Sequence, residues 1–248
     1  MPASLLPLDT YNIRARLAPV LLVTIPLGLA GATWIGPEKI EVILTGASIT
    51  LVLSILCAQL GRDAGKRKQQ ALFARWGGTP TTRTLAYRTT DLNPLTLARY
   101  HEQLRSLRPE LPLPKNKEAE NKDWKTAEMA YNSAVDFLRE ATREKERFPL
   151  IAEENMNYGY RRNLWAMKPT GITSTTIGLL ICAAKPVTAY QHGIDPITII
   201  TTAICLLLLI LWITRFTPEW VHTAGNEYAK NLLAALDKIT NQQTPTTP

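Results

Sequence analysis

The sequence has few residues of the kind that carry chemistry. Its 248 residues include three cysteines, Cys57, Cys182 and Cys205, and three histidines, His101, His192 and His222. No histidine lies four residues from another or beside a cysteine, and HExxH and CxxC are absent, so no metal site and no cofactor are expected. An odd number of cysteines, all inside apolar runs, argues against a disulfide framework and predicts packing roles. GxGxxG, the P-loop and GxSxG are also missing. The one adjacent carboxylate pair, Glu153-Glu154, is poorly suited to acid and base work, because neighbours on a helix point in different directions. No catalytic residue is predicted, and the chain is expected not to be an enzyme.

Charge is absent from long stretches. Arg16 and Glu38 enclose 21 uncharged residues, Glu41 and Arg62 enclose 20, Asp195 and Arg215 enclose 19, and Lys168 and Lys185 enclose 16. About 20 residues at 1.5 Å rise make a helix of roughly 30 Å, the thickness of bilayer hydrocarbon. The fourth run reaches that length if Lys185 extends its ammonium to the headgroups. The fold class predicted is an all-α integral membrane protein with four transmembrane helices in two hairpins, over about 17–36 and 42–61 and then 169–190 and 196–214. No basic n-region with a cleavage site opens the chain, so the first span is expected to be a retained anchor.

Charge asymmetry predicts orientation. Residues 61–168 hold 21 of the 28 Lys and Arg against 14 of the 21 Asp and Glu, an excess equal to the net charge of +7. Arg62, Lys66, Arg67 and Lys68 follow the second span, and Arg161, Arg162 and Lys168 precede the third. Basic residues at span ends stay cytoplasmic, which puts the central region and both termini inside a multi-pass protein of the cell inner membrane. The domains expected are a first hairpin over 1–62, a cytoplasmic helical domain over 63–168, a second hairpin over 169–215, and a cytoplasmic helix with a disordered tail over 216–248. The lipid bilayer, rather than nucleic acid, is the partner this charge pattern implies.

Within the central region, Gly61–Trp76 should continue the second span until Gly77-Gly78 stops it. Thr79–Asp91 reads as an extended linker or a short strand. Asn93-Pro94 should start an amphipathic helix running to Arg108, with a proline-rich connector over Pro109–Lys122. Asp123 should cap a helix to about Arg147, with Ala127, Ala130, Tyr131, Ala134, Leu138 and Ala141 on one face. That face would pair with the preceding helix or with a second copy of the chain. Val221, Ala224, Tyr228, Leu232, Leu236 and Ile239 form a C-terminal stripe needing a cover, for which the central helices are the nearest candidates.

Two residue groups are candidate sites. Asn157, Tyr158, Tyr160, Arg161 and Arg162 lie where an interfacial belt meets the membrane, and could also hold an anionic ligand between arginines and aromatic faces. Thr45, Ser48, Ser54, Thr173 and Ser174 are polar, neutral residues inside spans, suited to lining a pore or to interhelical hydrogen bonds of about 0.6 kcal/mol each. Pro19 and Pro26 should kink the first span, with neighbouring helices satisfying the freed carbonyls. Ionisable groups are missing from span centres, which disfavours a coupled transporter.

Arg75–Thr82 and Asn157–Leu164 are the most distinctive segments, and no family attaches to them. In overall plan, two membrane hairpins around an inward helical module, the chain resembles the small multi-span effectors of bacterial anti-phage systems. That resemblance implies a homo-oligomer that perturbs or permeabilises the inner membrane when a cytoplasmic protein or signal molecule arrives. It covers the plan alone and carries no residue roles. The alternatives are a membrane-anchored scaffold that recruits a cytoplasmic partner and a constitutive channel, although no selectivity filter is apparent.

Overall fold

The computed structural model describes residues 10–35, 39–188 and 196–243, and among these every regular element is a helix, with no strand. Two compact units divide the chain: unit 1 comprises 1–69 and 159–221, and unit 2 comprises 70–158 and 222–248. Ten helices follow one another among the described residues. They are α1 (Thr10–Ala32), α2 (Ile40–Trp76), α3 (Pro80–Leu85), α4 (Pro94–Leu107), α5 (Lys117–Lys122), α6 (Trp124–Ala141), α7 (Pro149–Ala166), α8 (Lys168–Thr188), α9 (Pro196–Thr214) and α10 (Pro218–Gln243).

Three stretches are long and apolar enough to cross a membrane: Thr10–Ala32, Glu41–Leu85 and Pro196–Thr214. The run expected as a further span, 169–190, forms helix α8. Six Thr and Ser and two Lys leave it less apolar than the other three. Of the connections expected at Gly36–Glu41 and Pro186–Asp195, residues 36–38 and 189–195 lie outside the described residues.

In unit 1 the contacts set the helix directions. Ser174 Oγ donates to Val23 O at 2.7 Å, the backbone at Gly178 closes on Pro26, and Lys185 Nζ donates to Thr33 O. Partners thus advance together, so α1 and α8 run parallel. Ser54 Oγ and Thr24 Oγ1, 3.1 Å apart, and Gly61 beside Val20 make α2 antiparallel to α1. Gly171 under the Trp212 indole and Lys168 Nζ on Ile213 O at 2.8 Å make α9 antiparallel to α8.

At Pro19 the freed carbonyl is met by a neighbouring helix, as the sequence predicts. Pro19 has no N–H for Ala15 O, and Asn163 Nδ2 donates to that carbonyl at 2.8 Å. Just before it, the ladder widens to a π-type turn in which Ala18 N–H reaches Ile13 O. Near Pro26, the Ser174 hydroxyl reinforces the neighbouring Val23 carbonyl.

In unit 2 one apolar core joins the central segment to the end of the chain. Leu97, Leu104, Tyr131, Leu138, Leu232 and Leu236 are at most 3% exposed within it. The alanine face of α6 is therefore used inside the chain, where Ala127, Ala130 and Ala134 are buried. Helix α10 continues to Gln243, three residues into the tail expected over Asn241–Pro248; residues 244–248 lie outside the described residues.

Three expectations are corrected here. Thr79–Asp91 is not extended: Pro80–Leu85 is helical, because Thr79 Oγ1 accepts the Thr82 N–H and Pro80 occupies the first helical position. The cap and proline signal outweighs the β preference of the threonines. The connector before Asp123 contains α5, capped by Asn116 Oδ1 on Ala119 N at 2.9 Å. The helix capped by Asp123 ends at Ala141 rather than Arg147, where the Thr142 hydroxyl turns back to Leu138 O at 2.7 Å.

Behind α4, His101 is fully buried, with Nε2 2.8 Å from Leu85 O. A carbonyl only accepts, so in the neutral ring Nε2 carries the proton, and Nδ1 makes no well-formed hydrogen bond. Burial depresses the His101 pKa below the ordinary imidazole range. The unfolded chain therefore takes up this proton more readily than the folded one. The stability contributed is complete above about pH 6.5 and is lost as pH falls toward the depressed folded value. Protection factors of the Leu95–Leu107 amides, with the observed exchange referred to the intrinsic rate at each pH, are expected to fall between pH 7 and pH 5, and the fall should vanish in His101→Gln.

Candidate functional site

The candidate site is the layer of unit 1 where Lys, Arg and aromatic rings meet the apolar helices. Asn163 sits at its centre. Its Nδ2 holds Ala15 O, while its Oδ1 accepts from Arg162 Nε at 3.3 Å and Nη2 at 3.1 Å, and Arg162 Nη1 donates to Gln69 Oε1 at 2.5 Å. Gly65 makes this crossing possible, because a Cβ there would fall on Asn163 Oδ1 and 3.1 Å from its Cγ. Gly61, one turn away, leaves room in the same manner for Met167 and Val20. Gly61 and Gly65 thus form a small-residue pair through which two backbones approach, a spacing the sequence offered and that reading it alone did not use.

Lysines close the helix ends. Lys68 Nζ donates to Ala166 O at 2.8 Å at the end of α7, and Lys168 Nζ bonds Ile213 O and Phe216 O at the end of α9. The unpaired carbonyls of a helix C-terminus carry partial negative charge, so an ammonium is favoured there. Four cations lie against aromatic faces: Arg16 on Tyr11, Lys68 on Trp165, and both Arg161 and Arg215 on Trp220, at 5.0 to 5.8 Å from the ring centres. Arg161 Nη1 also donates to Trp220 O at 3.1 Å. Rings continue from Trp220 to Phe216 and Trp212, and Tyr160 meets Trp220 edge-on.

Of the first predicted group, Tyr160, Arg161 and Arg162 belong to this layer. Asn157 and Tyr158 fall in unit 2, where Tyr158 packs near Gly225. Arg162 is committed to Gln69 and Asn163. Asn163, Arg215 and Trp220 are the members that reading the sequence missed. Asn163 and Trp220 pair with residues 148 and 59 positions away along the chain, Ala15 and Arg161, whereas Arg215 meets Trp220 locally.

The second group separates into two. Ser54 and Ser174 are buried and bridge helices. Thr45 and Ser48 are exposed on α2 and bond back to Glu41 O at 2.8 Å and Leu44 O at 2.9 Å, and Thr173 is exposed on α8. Thr45 and Ser48 lie one helical turn apart, on a helix whose apolar window is only 12% buried within the chain, against 39% for α1 and 22% for α9. Between α1 and α2 a cleft of about 440 Å³ is lined by apolar groups such as Ile25, Gly28, Gly31 and Gly46, with the Thr50 hydroxyl turned back to Gly46 O. A Cβ added at any of these three glycines would meet nothing.

Cys57, Cys182 and Cys205 are free thiols, and Cys182 and Cys205 are buried. The described residues contain no cluster of three or more His, Cys, Asp or Glu side chains able to hold a metal ion. Comparison with known protein families, with curated proteins and with solved structures finds no match.

Proposed function

We propose that this chain is a non-enzymatic effector of the cell inner membrane, crossing it four times with both termini and the helices of unit 2 in the cytoplasm. Copies oligomerise through the exposed face of α2, and a cytoplasmic cue rearranges them into a leak, as in anti-phage defence. The observation that carries this reading is the apolar length of α2, left nearly uncovered by its own chain. Thr45 and Ser48 on that helix already have intrahelical acceptors, so they can enter a helix contact or line a narrow path without an unmet hydrogen bond. The parallel course of α1 and α8 supports the four-span arrangement, because two hairpins of the same sense place all their basic ends on one side. The cytoplasmic protein or signal molecule that supplies the cue has its natural target in unit 2.

Two measurements test the proposal. A single cysteine at Ser48, with the three native thiols replaced, should form disulfide-linked dimers in isolated membranes, whereas the same change at Ser174, buried between α1 and α8, should not. A potential-sensitive dye should report depolarisation in cells expressing the chain under phage challenge. A flat dye signal together with efficient membrane insertion would favour a membrane-anchored scaffold instead.

A further inference from the structure

The layer around Asn163 carries ten Lys and Arg against two carboxylates, Asp63 and Glu219, in the segments 10–20, 61–69, 159–171 and 213–221. Asn163 on Ala15 O, Lys68 on Ala166 O and Lys168 on Phe216 O bring these segments to one level of unit 1. Five of the cations, Arg14, Arg62, Lys66, Arg67 and Arg215, have side chains that make no hydrogen bond or ion pair among the described residues, and all but the half-buried Arg62 are exposed. Unit 2 holds cations of both kinds: Lys115, Lys117, Lys122 and Lys125 are exposed and make no ion pair among the described residues, whereas others are paired across its surface. There Arg99 pairs with Asp237, Arg139 with Asp136, Arg143 with Glu140 and Lys230 with Glu227.

We infer that this layer is a docking surface for the phosphates of anionic phospholipid, with Arg62, Lys66, Arg67 and Arg215 as its principal contacts. The proposal rests on the reading of unit 1 as membrane-embedded and adds a lipid class to it. Setting orientation requires only that positive charge lie near the span ends. The structure shows more than that. Cations that could pair with Asp63 do not, and Arg215 is held against the Trp220 indole instead, with its guanidinium edge left to the surroundings. Amphipathic rings such as Trp220, Trp165 and Tyr160 occupy the same level, and rings of this kind favour headgroup depth. A guanidinium offers several N–H donors to a phosphate, and a zwitterionic headgroup supplies its own compensating cation.

The test uses the full chain purified in mixed micelles of phosphatidylcholine and phosphatidylglycerol in equal amounts, with the lipid retained by the protein then quantified. Phosphatidylglycerol should be enriched over the bulk by about five-fold or more, the worth of at least one effective surface cation. The enrichment should disappear when Arg62, Lys66, Arg67 and Arg215 are all changed to Gln. It should survive when Lys115, Lys117, Lys122 and Lys125 of unit 2 are changed instead, which lowers net charge equally. Raising the ionic strength on the unmodified chain should also remove it, a check that does not depend on a variant folding. Equal retention of both lipids, or enrichment that persists in the first variant, overturns the proposal. So does inorganic phosphate raising the thermal midpoint as much as phosphatidylglycerol. A chain recovered in the aqueous fraction of lysed cells refutes the membrane reading itself, whereas insertion without enrichment refutes only this inference.

Discussion

Gly171→Val is expected to unfold much of unit 1. A Cβ at Gly171 would lie within 2.6 Å of Trp212 Cε2, Cζ2 and Cδ2, and Trp212 is fully buried among Val23, Leu164 and Phe216. The indole cannot retreat, because it lies between α8 and the remaining rings of the layer, and its Nε1 has no acceptor that would direct it elsewhere. The helices must therefore separate, at a cost of roughly 3 kcal/mol for overpacking of this severity. That is a large share of the stability of an ordinary domain. Thermal unfolding in detergent would show the drop in midpoint. Gly171→Ala combined with Trp212→Leu should recover most of it, because the second change removes the ring that the methyl strikes. An unchanged midpoint in Gly171→Val would show that the crossing of α8 and α9 is not held as described.

The other large effect is expected at Glu120, whose side chain is fully buried in unit 2. Its carboxylate accepts from Tyr87 N at 2.7 Å, Arg88 N at 3.1 Å and the Tyr131 hydroxyl at 2.7 Å. Arg88 lies 4.0 Å from it, with the guanidinium stacked on Trp124. Glu120→Ala would remove the acceptor from one buried donor, the Tyr131 hydroxyl, and from two part-buried ones, the Tyr87 and Arg88 amides, and leave a cation without its counter-charge. Each orphaned buried donor costs about 1–3 kcal/mol, so the sum is about 4 kcal/mol after partial hydration. Chemical denaturation of the full chain should show loss of the unit 2 transition. Glu120→Gln, which keeps an acceptor oxygen, should lose about half as much. If Glu120→Ala unfolds at the same denaturant concentration as the parent, the carboxylate does not hold the turn after α3 to α5.

How much of this could be read from the residues differs between the two units. Helix identity in unit 1 was legible because hydrocarbon-length runs without charge form backbone hydrogen bonds locally, whatever surrounds them. The stop at Gly77 and Gly78 was legible for a related reason, since both take positive φ, which glycine adopts without strain. The threonine-rich stretch at Thr79–Asp91 was misread because β preference was weighed above a cap followed by proline. The alanine face of α6 was legible as a buried face, but its partner was not: nothing in periodicity distinguishes the same chain from a second copy.

The candidate site was only partly legible. Tyr160, Arg161 and Arg162 stand out as an aromatic and basic cluster, yet the importance of Asn163 comes from Pro19, 144 positions earlier, which leaves a carbonyl that only a neighbouring helix can satisfy. Likewise Ser54 and Ser174 resemble Thr45 and Ser48 in composition and spacing. Whether a hydroxyl bridges helices or faces outward depends on which side of its helix is covered.

The order of apolar and charged segments, and with it the all-helical character and the three membrane-length stretches, was determined by the sequence alone, because those properties depend on solvent transfer and hydrogen bonds within a few residues. The parallel pairing of α1 with α8, the exposed flank of α2, and the division between paired and unpaired cations were decided only by the tertiary structure. Each of these depends on which atoms from distant parts of the chain come within reach, and local propensity carries no information about that distance.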